Sequence, residues 1–342
     1  MGPLRISIAA CTLCGVALMA ACVTSQGGKQ IASDYYNIGN AFFDLGQYDK
    51  AIQYYQNALR ADPGMVKADY NLALTLVRMK RNEEAVVILK RLVQSDPKNT
   101  TLMAALGWAY HQQGMDKEAL GQYDAILALS PADQNALYNS GIILWKLARK
   151  DEALARFRKD LVIAPEDTDA LFAAGSLLLS LDQITEAQDM LSRYVEKKPD
   201  DTDAWYLIAG GAERLQKYSR ALEAYDKIIA VDAKQANAWF GEARLLLTVV
   251  EDPQRGLDAL DKALSSGFKD KDAAKVLLAS PLLLEKGQVE DAFKEHDLMP
   301  SEEQPKQATE PSKAQPSDQS KQSPDQSRTQ PPQAPAPAQP AQ

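Results

Sequence analysis

The chain has 342 residues, 45% of them hydrophobic, and a formal net charge of −8. That length holds a large core, and on length alone two or three compact domains are expected. The acidic balance excludes a nucleic-acid groove, which needs clustered Lys and Arg to displace counterions from phosphates.

The first segment, MGPLRISIAACTLCGVALMAACVTSQGGKQ, carries Arg5, then sixteen apolar or small residues from Ile6 to Ala21, then Cys22. Sixteen is short for a membrane span but suits the apolar region of a signal peptide. The stretch LMAAC resembles a bacterial lipobox, with Ala20 and Ala21 as the small residues before the cut and Met19 in place of the usual Leu. The resemblance implies that residues 1–21 are removed, that Cys22 becomes a lipidated N-terminus, and that 22–31 is a linker. The protein would then be anchored in a bacterial cell envelope, facing the periplasm or the cell surface. The alternative is an ordinary secretory signal cleaved after Ala21. Myristoylation at the leading Met-Gly needs a eukaryotic cytosol and has no use for an apolar region.

All three cysteines, Cys11, Cys14 and Cys22, lie in this segment, so no disulfide is expected to staple the rest and no cysteine zinc site is expected. With only His111 and His296 beside them, no metal and no cofactor are expected.

Helix formers dominate the remainder, and β-branched alternation is scarce, which points to an all-α fold. From Tyr35 to Pro63 the chain reads YYNIGNAFFDLGQYDKAIQYYQNALRADP, two helical stretches with more aromatic surface than one hairpin can hide. The pattern then recurs. Prolines stand at 63, 97, 131, 165 and 199, each 34 residues after the last, and Ala233 holds the next place. Twelve residues before each stands an alanine: Ala51, Ala85, Ala119, Ala153, Ala187 and Ala221. Gly39, Ala73, Gly107, Gly141, Gly175, Ala209 and Ala243 repeat at the same period, and Tyr55, Leu89, Tyr123, Phe157, Leu191 and Tyr225 each follow the alanine by four.

This resembles the tetratricopeptide repeat over residues 32–266, seven repeats in all. The resemblance implies a right-handed α-solenoid of tandem 34-residue helix-turn-helix units. Helix axes approach to about 8–10 Å where the crossing side chains are small, a role expected of Gly39 and Ala51. Phe42 and Tyr55 are expected to fill the wedge toward the next hairpin. The proline disfavours helical geometry in the residue before it and ends the second helix. Stacking then buries the face that a single hairpin leaves open.

The seventh unit departs from the pattern. Glu242 takes a position that is usually apolar, one residue is inserted before Gly256, and Gly256 replaces the alanine. Asp252 and Pro253 read as an N-cap and a first helical proline. An eighth, weaker unit, matched by Ser280, Gly287 and Ala292, is expected to cap the stack over 267–299. Residues 300–342 form a Pro/Gln/Ser/Ala-rich tail. From Ser301 it holds nine of the eighteen prolines and no Leu, Ile, Val, Phe, Tyr, Trp or Met. Such composition is expected to stay disordered, as a tether or alternatively a Pro-rich docking ligand.

No enzyme signature is present. His111 has no glycine-flanked serine beside it, the glycines sit at crossings or turns rather than in a phosphate loop, and pairs such as Glu83 and Glu84 suit the dipole at the start of second helices.

In this family the first helices line a concave groove. Their fifth positions here are Tyr36, Tyr70, Ala104, Tyr138, Phe172, Tyr206 and Phe240. Trp108, His111, Tyr138, Ile142 and Trp145 are expected to form an exposed aromatic cluster near mid-groove, a binding hot spot; its bland alternative is packing between adjacent first helices. A carboxylate clamp is matched by Asn40 and Asn71, but its basic positions hold Tyr36, Thr101 and Ala105. The expected partner is therefore a protein or peptide held by apolar anchors, in the service of an envelope assembly. The alternative is a small hydrophobic or glycan ligand of a transporter or cell-wall accessory, which a closed aromatic pocket rather than an open groove would favour.

Overall fold

A computed structural model describes residues 27–299. The signal segment, the lipobox with Cys22 and the tail lie outside the described residues. Those that are described form sixteen helices and no strand, in two compact units divided at Arg156/Phe157.

Unit 1 runs through α1 (27–44), α2 (Tyr48–Ala61), α3 (Val66–Arg78), α4 (Asn82–Ser95), α5 (Thr100–Gln112), α6 (Asp116–Leu129) and α7 (Gln134–Lys146). It ends inside α8 (Lys150–Ile163). Each described helix from α2 to α7 packs on its neighbours in sequence, within and between hairpins. Unit 2 continues with α9 (Thr168–Ser180), α10 (Ile184–Lys197), α11 (Thr202–Arg214), α12 (Tyr218–Val231), α13 (Ala236–Thr248) and α14 (Pro253–Ser265) in the same manner. The short α15 (Lys271–Leu278) and α16 (Lys286–Glu295) close it.

The repeated residues make the core. All six alanines of the ladder, from Ala51 to Ala221, are buried, and so are the six bulky residues four places on. The small residue on the first helix makes room for the bulky one rather than for the alanine. A methyl at Gly39 would meet the Tyr55 ring, one at Gly107 the Tyr123 ring, and one at Gly175 the Leu191 side chain. Phe42 corrects its expected role: it is half-buried and stacks on Tyr54 of its own hairpin, ring centroids 5.2 Å apart.

Four of the first helices start on built caps, while α3 and α13 have no side-chain cap. Asn99, Asp133, Asp167 and Asp201, again 34 residues apart, accept backbone N–H bonds from Leu102, Ala136, Ala170 and Ala204. Second helices stop where the chain turns extended. Asp62, before Pro63, has φ −140° and ψ 95°, and Asp232, before Ala233, has φ −146° and ψ 103°. The extended residue therefore survives loss of the proline.

Inside each hairpin the turn uses a left-handed residue. Gly46, Lys80, Gly114, Ala148, Asp182 and Gln216 all have positive φ, with the 34-residue period. The next residue donates its N–H back to the helix, as Arg81 does to the Leu76 carbonyl at 2.8 Å and Arg149 to that of Leu144 at 2.9 Å, which closes a Schellman turn. In the seventh unit the left-handed residue is Glu251, one place late, where the inserted residue lies. Asp252 caps α14 through the Arg255 N–H, with Pro253 in its first turn. A methyl at Gly256 would stand 2.7 Å from Leu247 Cγ, so this crossing has no room for the usual alanine.

The last element differs from a repeat. Ser280 lies beyond α15 rather than within it, and Gly287 lies inside α16, the left-handed residue being Glu285. Phe268 stacks on Phe240, centroids 4.0 Å apart, and Leu277, Val289, Phe293 and Leu298 are buried around them.

Candidate binding face on the first helices

The fifth-position ladder is first of all packing. Tyr36, Tyr70, Tyr138 and Phe240 are buried; Ala104, Phe172 and Tyr206 are half-buried. Three of the rings lean on the second helix of their own hairpin: Tyr36 on Tyr55, Phe172 on Tyr194 and Tyr206 on Tyr225. Phe240 is committed to Phe268. Burial pushes the Tyr70 hydroxyl up to about 12 and that of Tyr55 higher still.

Trp108 and Trp145 correct a second expectation. Each is only 6% exposed, so they form floor rather than projecting anchors. Ile142 beside them is fully buried. A sequence register tells which face of the helix a residue occupies, but not how deep the neighbouring helices leave it.

His111 does connect two first helices. Its Nδ1 lies 2.7 Å from Asp116 Oδ1, and Lys146 Nζ at the end of α7 lies 2.9 Å from Asp116 Oδ2. Asp116 is buried in the first turn of α6, so one carboxylate ties the ends of α5 and α7 together. His111 and Asp116 have the geometry of a base and its orienting carboxylate. With Lys146 on the second oxygen of the same carboxylate, the pair forms part of a structural tie.

The asparagines matched to a carboxylate clamp are spent on each other. Asn71 Nδ2 donates to Asn40 Oδ1 at 2.9 Å and to the Tyr36 hydroxyl at 3.1 Å, and Tyr55 donates to the same Asn40 oxygen at 2.8 Å. The cations come from elsewhere, and position-by-position matching missed them. Lys67 Nζ stands 4.4 Å from the centre of the Tyr36 ring, and Arg78 stands 5.9 Å from that of Trp108, within cation–π range. With half-exposed Lys146, they set a basic rim over an aromatic floor in unit 1.

On α11 and α13 the polar groups are paired internally. Arg244 Nη2 lies 2.7 and 2.6 Å from the two Glu213 oxygens, and Tyr225 donates to Glu213 Oε1 at 2.8 Å. Glu242 is buried, with one oxygen on Arg255 at 3.0 Å. Burial and the Asp226 charge push its carboxyl above the ordinary range, against the pull of Arg255.

A depression of about 410 Å³ in unit 2 is lined by Thr168, Asp169, Tyr194, Lys197, Lys198, Pro199, Asp200 and Asp201, a polar set rather than an aromatic pocket. Among the described residues no group of His, Cys, Asp and Glu is placed to hold a metal, and no helix is long and apolar enough to cross a membrane.

A family model described as a tetratricopeptide repeat matches residues 42–106, 77–137 and 151–210. The chain is a tetratricopeptide repeat protein. Its hairpins are thus a protein-interaction scaffold.

Among curated relatives, this tetratricopeptide protein is 31% identical over 111 residues to the Protein O-mannosyl-transferase Tmtc3 of Drosophila melanogaster, covering 32% of this chain and 12% of that one. It is 30% identical over 98 residues to an uncharacterized lipoprotein of Treponema pallidum, covering 29% and 50%. The chain therefore spans half or less of these relatives. Among solved structures, a tetratricopeptide repeat protein from Parabacteroides merdae superposes with TM-score 0.52 at 21% identity, over 72% of this chain and 98% of that one. YrrB, described as having an unusual peptide-binding site, gives 0.50 at 21%, over 55% and 96%. PilW, a type IV pilus biogenesis factor, gives 0.52 at 20%, over 59% and 93%. At these identities the structures share the fold.

Proposed function

We propose that the protein is a lipid-anchored adaptor of a bacterial envelope, which holds a protein or peptide partner on the first helices of unit 1 and has no catalytic role. The observation that carries the reading is the basic rim over the aromatic floor: Lys67 above Tyr36, Arg78 above Trp108, and Lys146 at the His111–Asp116 tie. A segment with apolar side chains flanked by carboxylates suits that surface, the apolar groups meeting ring edges and the carboxylates meeting the cations.

The peptide-binding site named for YrrB and the pilus-biogenesis role named for PilW are in keeping with this reading. The Treponema lipoprotein supports the anchor at Cys22. A small hydrophobic ligand is less favoured, because the depression described above is polar. The test is capture from envelope extract by the full chain beside the Lys67→Glu/Arg78→Glu variant. An envelope protein retained by the first and released by the second is expected. Retention of the same proteins by both would refute the site.

A further inference from the structure

The last four helices hold a core of their own. Phe240 and Leu247 on α13 gather with Leu260 on α14, Leu277 on α15 and Phe293 on α16, and the buried members of that cluster all lie within 240–298. α13 meets the helices before it across a seam of another kind. The Tyr225 ring of α12 lies against Gly241, where an added methyl would stand 2.4 Å from its Cζ. Arg244 reaches back to both oxygens of Glu213 on α11. Glu242 sits between these two contacts, at the place in the repeat that faces the preceding hairpin. Ile38 holds that place on α1, before which no hairpin is described, and is 40% exposed; Leu72, Leu106, Ser140, Ala174 and Ile208 hold it on later first helices and are all buried. Among the seven repeats only this seam takes in a carboxyl group.

Glu242 is 5% exposed. Arg255 on α14 meets its Oε1 at 3.0 Å, from a side chain that is itself more than half exposed, and its Oε2 has no hydrogen-bond partner among the described residues. The other charges that face it are Asp226 on α12, which opposes a second negative charge, and Lys262 on α14. A neutral carboxyl stays in such a seam at small cost. A carboxylate there lacks, on one oxygen, the hydrogen bonds that water supplies once the seam opens.

We infer that α13 to α16 form a separate cooperative unit at the end of the solenoid, and that the proton on Glu242 sets how often this unit opens from α12. In a stacked array the stability of an end unit is that of its own core plus one interface, and such units open while the rest stays folded. Losing the proton weakens the interface and leaves the core of the unit untouched. The sign follows from the raised folded carboxyl: its contribution is complete below the ordinary 4.5 and is lost as pH rises through the folded value. Opening uncovers the Tyr225 face of α12, so access to that face depends on pH.

The test is amide hydrogen exchange of the full chain, read by mass spectrometry at pH 4 and pH 8 and corrected for the intrinsic pH dependence of exchange. Wild type is compared with Glu242→Gln, which keeps the shape without the charge, and with Glu242→Leu, which places there the residue that Leu72 and Leu106 already supply. If one variant fails to fold, the other still decides. In wild type the opening constant of α13–α16 is expected to rise at least about threefold from pH 4 to pH 8 relative to that of α9–α11, and the rise should vanish in both variants. Loss of protection in α13–α16 and α9–α11 together, at both pH values, would overturn the separate unit. A wild-type ratio that does not move with pH, or a rise that persists in a folded variant, would overturn the role of Glu242.

Discussion

The ring of Tyr55 fills the space that Gly39 leaves by having no side chain; a methyl at Gly39 would lie 2.6 Å from Tyr55 Cε1. The same relation recurs between Gly175 and Leu191, at 2.7 Å. The helix crossing is thus set by a pair of residues sixteen apart, one absent side chain and one large one.

Gly39→Ala and Gly175→Ala should each destabilise the fold by about 1–3 kcal/mol, the usual cost of overpacking. Gly121 in α6 is exposed and has nothing within 4 Å of an added methyl. Gly121→Ala should stabilise by about 0.5–1 kcal/mol through helix propensity alone. Urea unfolding followed by circular dichroism reads both signs.

The left-handed turn residue gives a second pair of opposite effects. Ala148 has φ +60° and carries a Cβ that this conformation resists, while Gly114 at the equivalent place has φ +80°. Ala148→Gly should gain up to about 1 kcal/mol and Gly114→Ala should lose a similar amount. Equal midpoints for Ala148→Gly and wild type would count against the strain.

Glu242 predicts a pH dependence. Its folded carboxyl is held above the ordinary 4.5, chiefly by burial. The folded state therefore keeps a proton that the unfolded chain has released, and this contribution to stability is present below 4.5 and lost as pH rises through the folded value. Glu242→Gln should accordingly raise the melting temperature more at pH 8 than at pH 4. A difference that does not change with pH would mean that Arg255 neutralises the site.

On the proposed reading, Cys22 is the site of lipidation. In a bacterial host, labelled palmitate should enter the wild-type protein and not the Cys22→Ser variant. Incorporation that persists in the variant, or a free Cys22 thiol on the mature protein, would replace the anchor with an ordinary secretory signal.

Much of the fold was legible in the sequence because stacking repeats the same steric problem every 34 residues. Ala51, Tyr55 and Pro63 recur with that period and declare themselves. The left-handed turn shares the period but is carried by Gly, Lys, Ala, Asp and Gln in turn, so only Gly46 and Gly114 could have signalled it. The binding face was half legible. Register put Trp108 on the first-helix face, yet its depth depends on how its neighbours pack over it, and Arg78 standing on the ring belongs to no position that the clamp pattern watches. One practical consequence concerns Trp108→Ala. It should cost about 3–5 kcal/mol by emptying the floor, so loss of binding in that variant would report damage to the fold as readily as loss of a contact. The rim cations Lys67 and Arg78 are the cleaner probes, since both are exposed, whereas Lys146 also holds the buried Asp116.

The central claim is that the first helices of unit 1 read apolar segments flanked by carboxylates. The most direct measurement is selection of a random peptide library on the immobilised full chain, with the Lys67→Glu/Arg78→Glu variant in parallel. The account predicts enriched sequences in which bulky apolar residues alternate with Asp or Glu, bound at least about tenfold more weakly by the variant, a loss of 1.4 kcal/mol. Enrichment that the variant retains in full, or no enrichment on the wild-type chain, would contradict it.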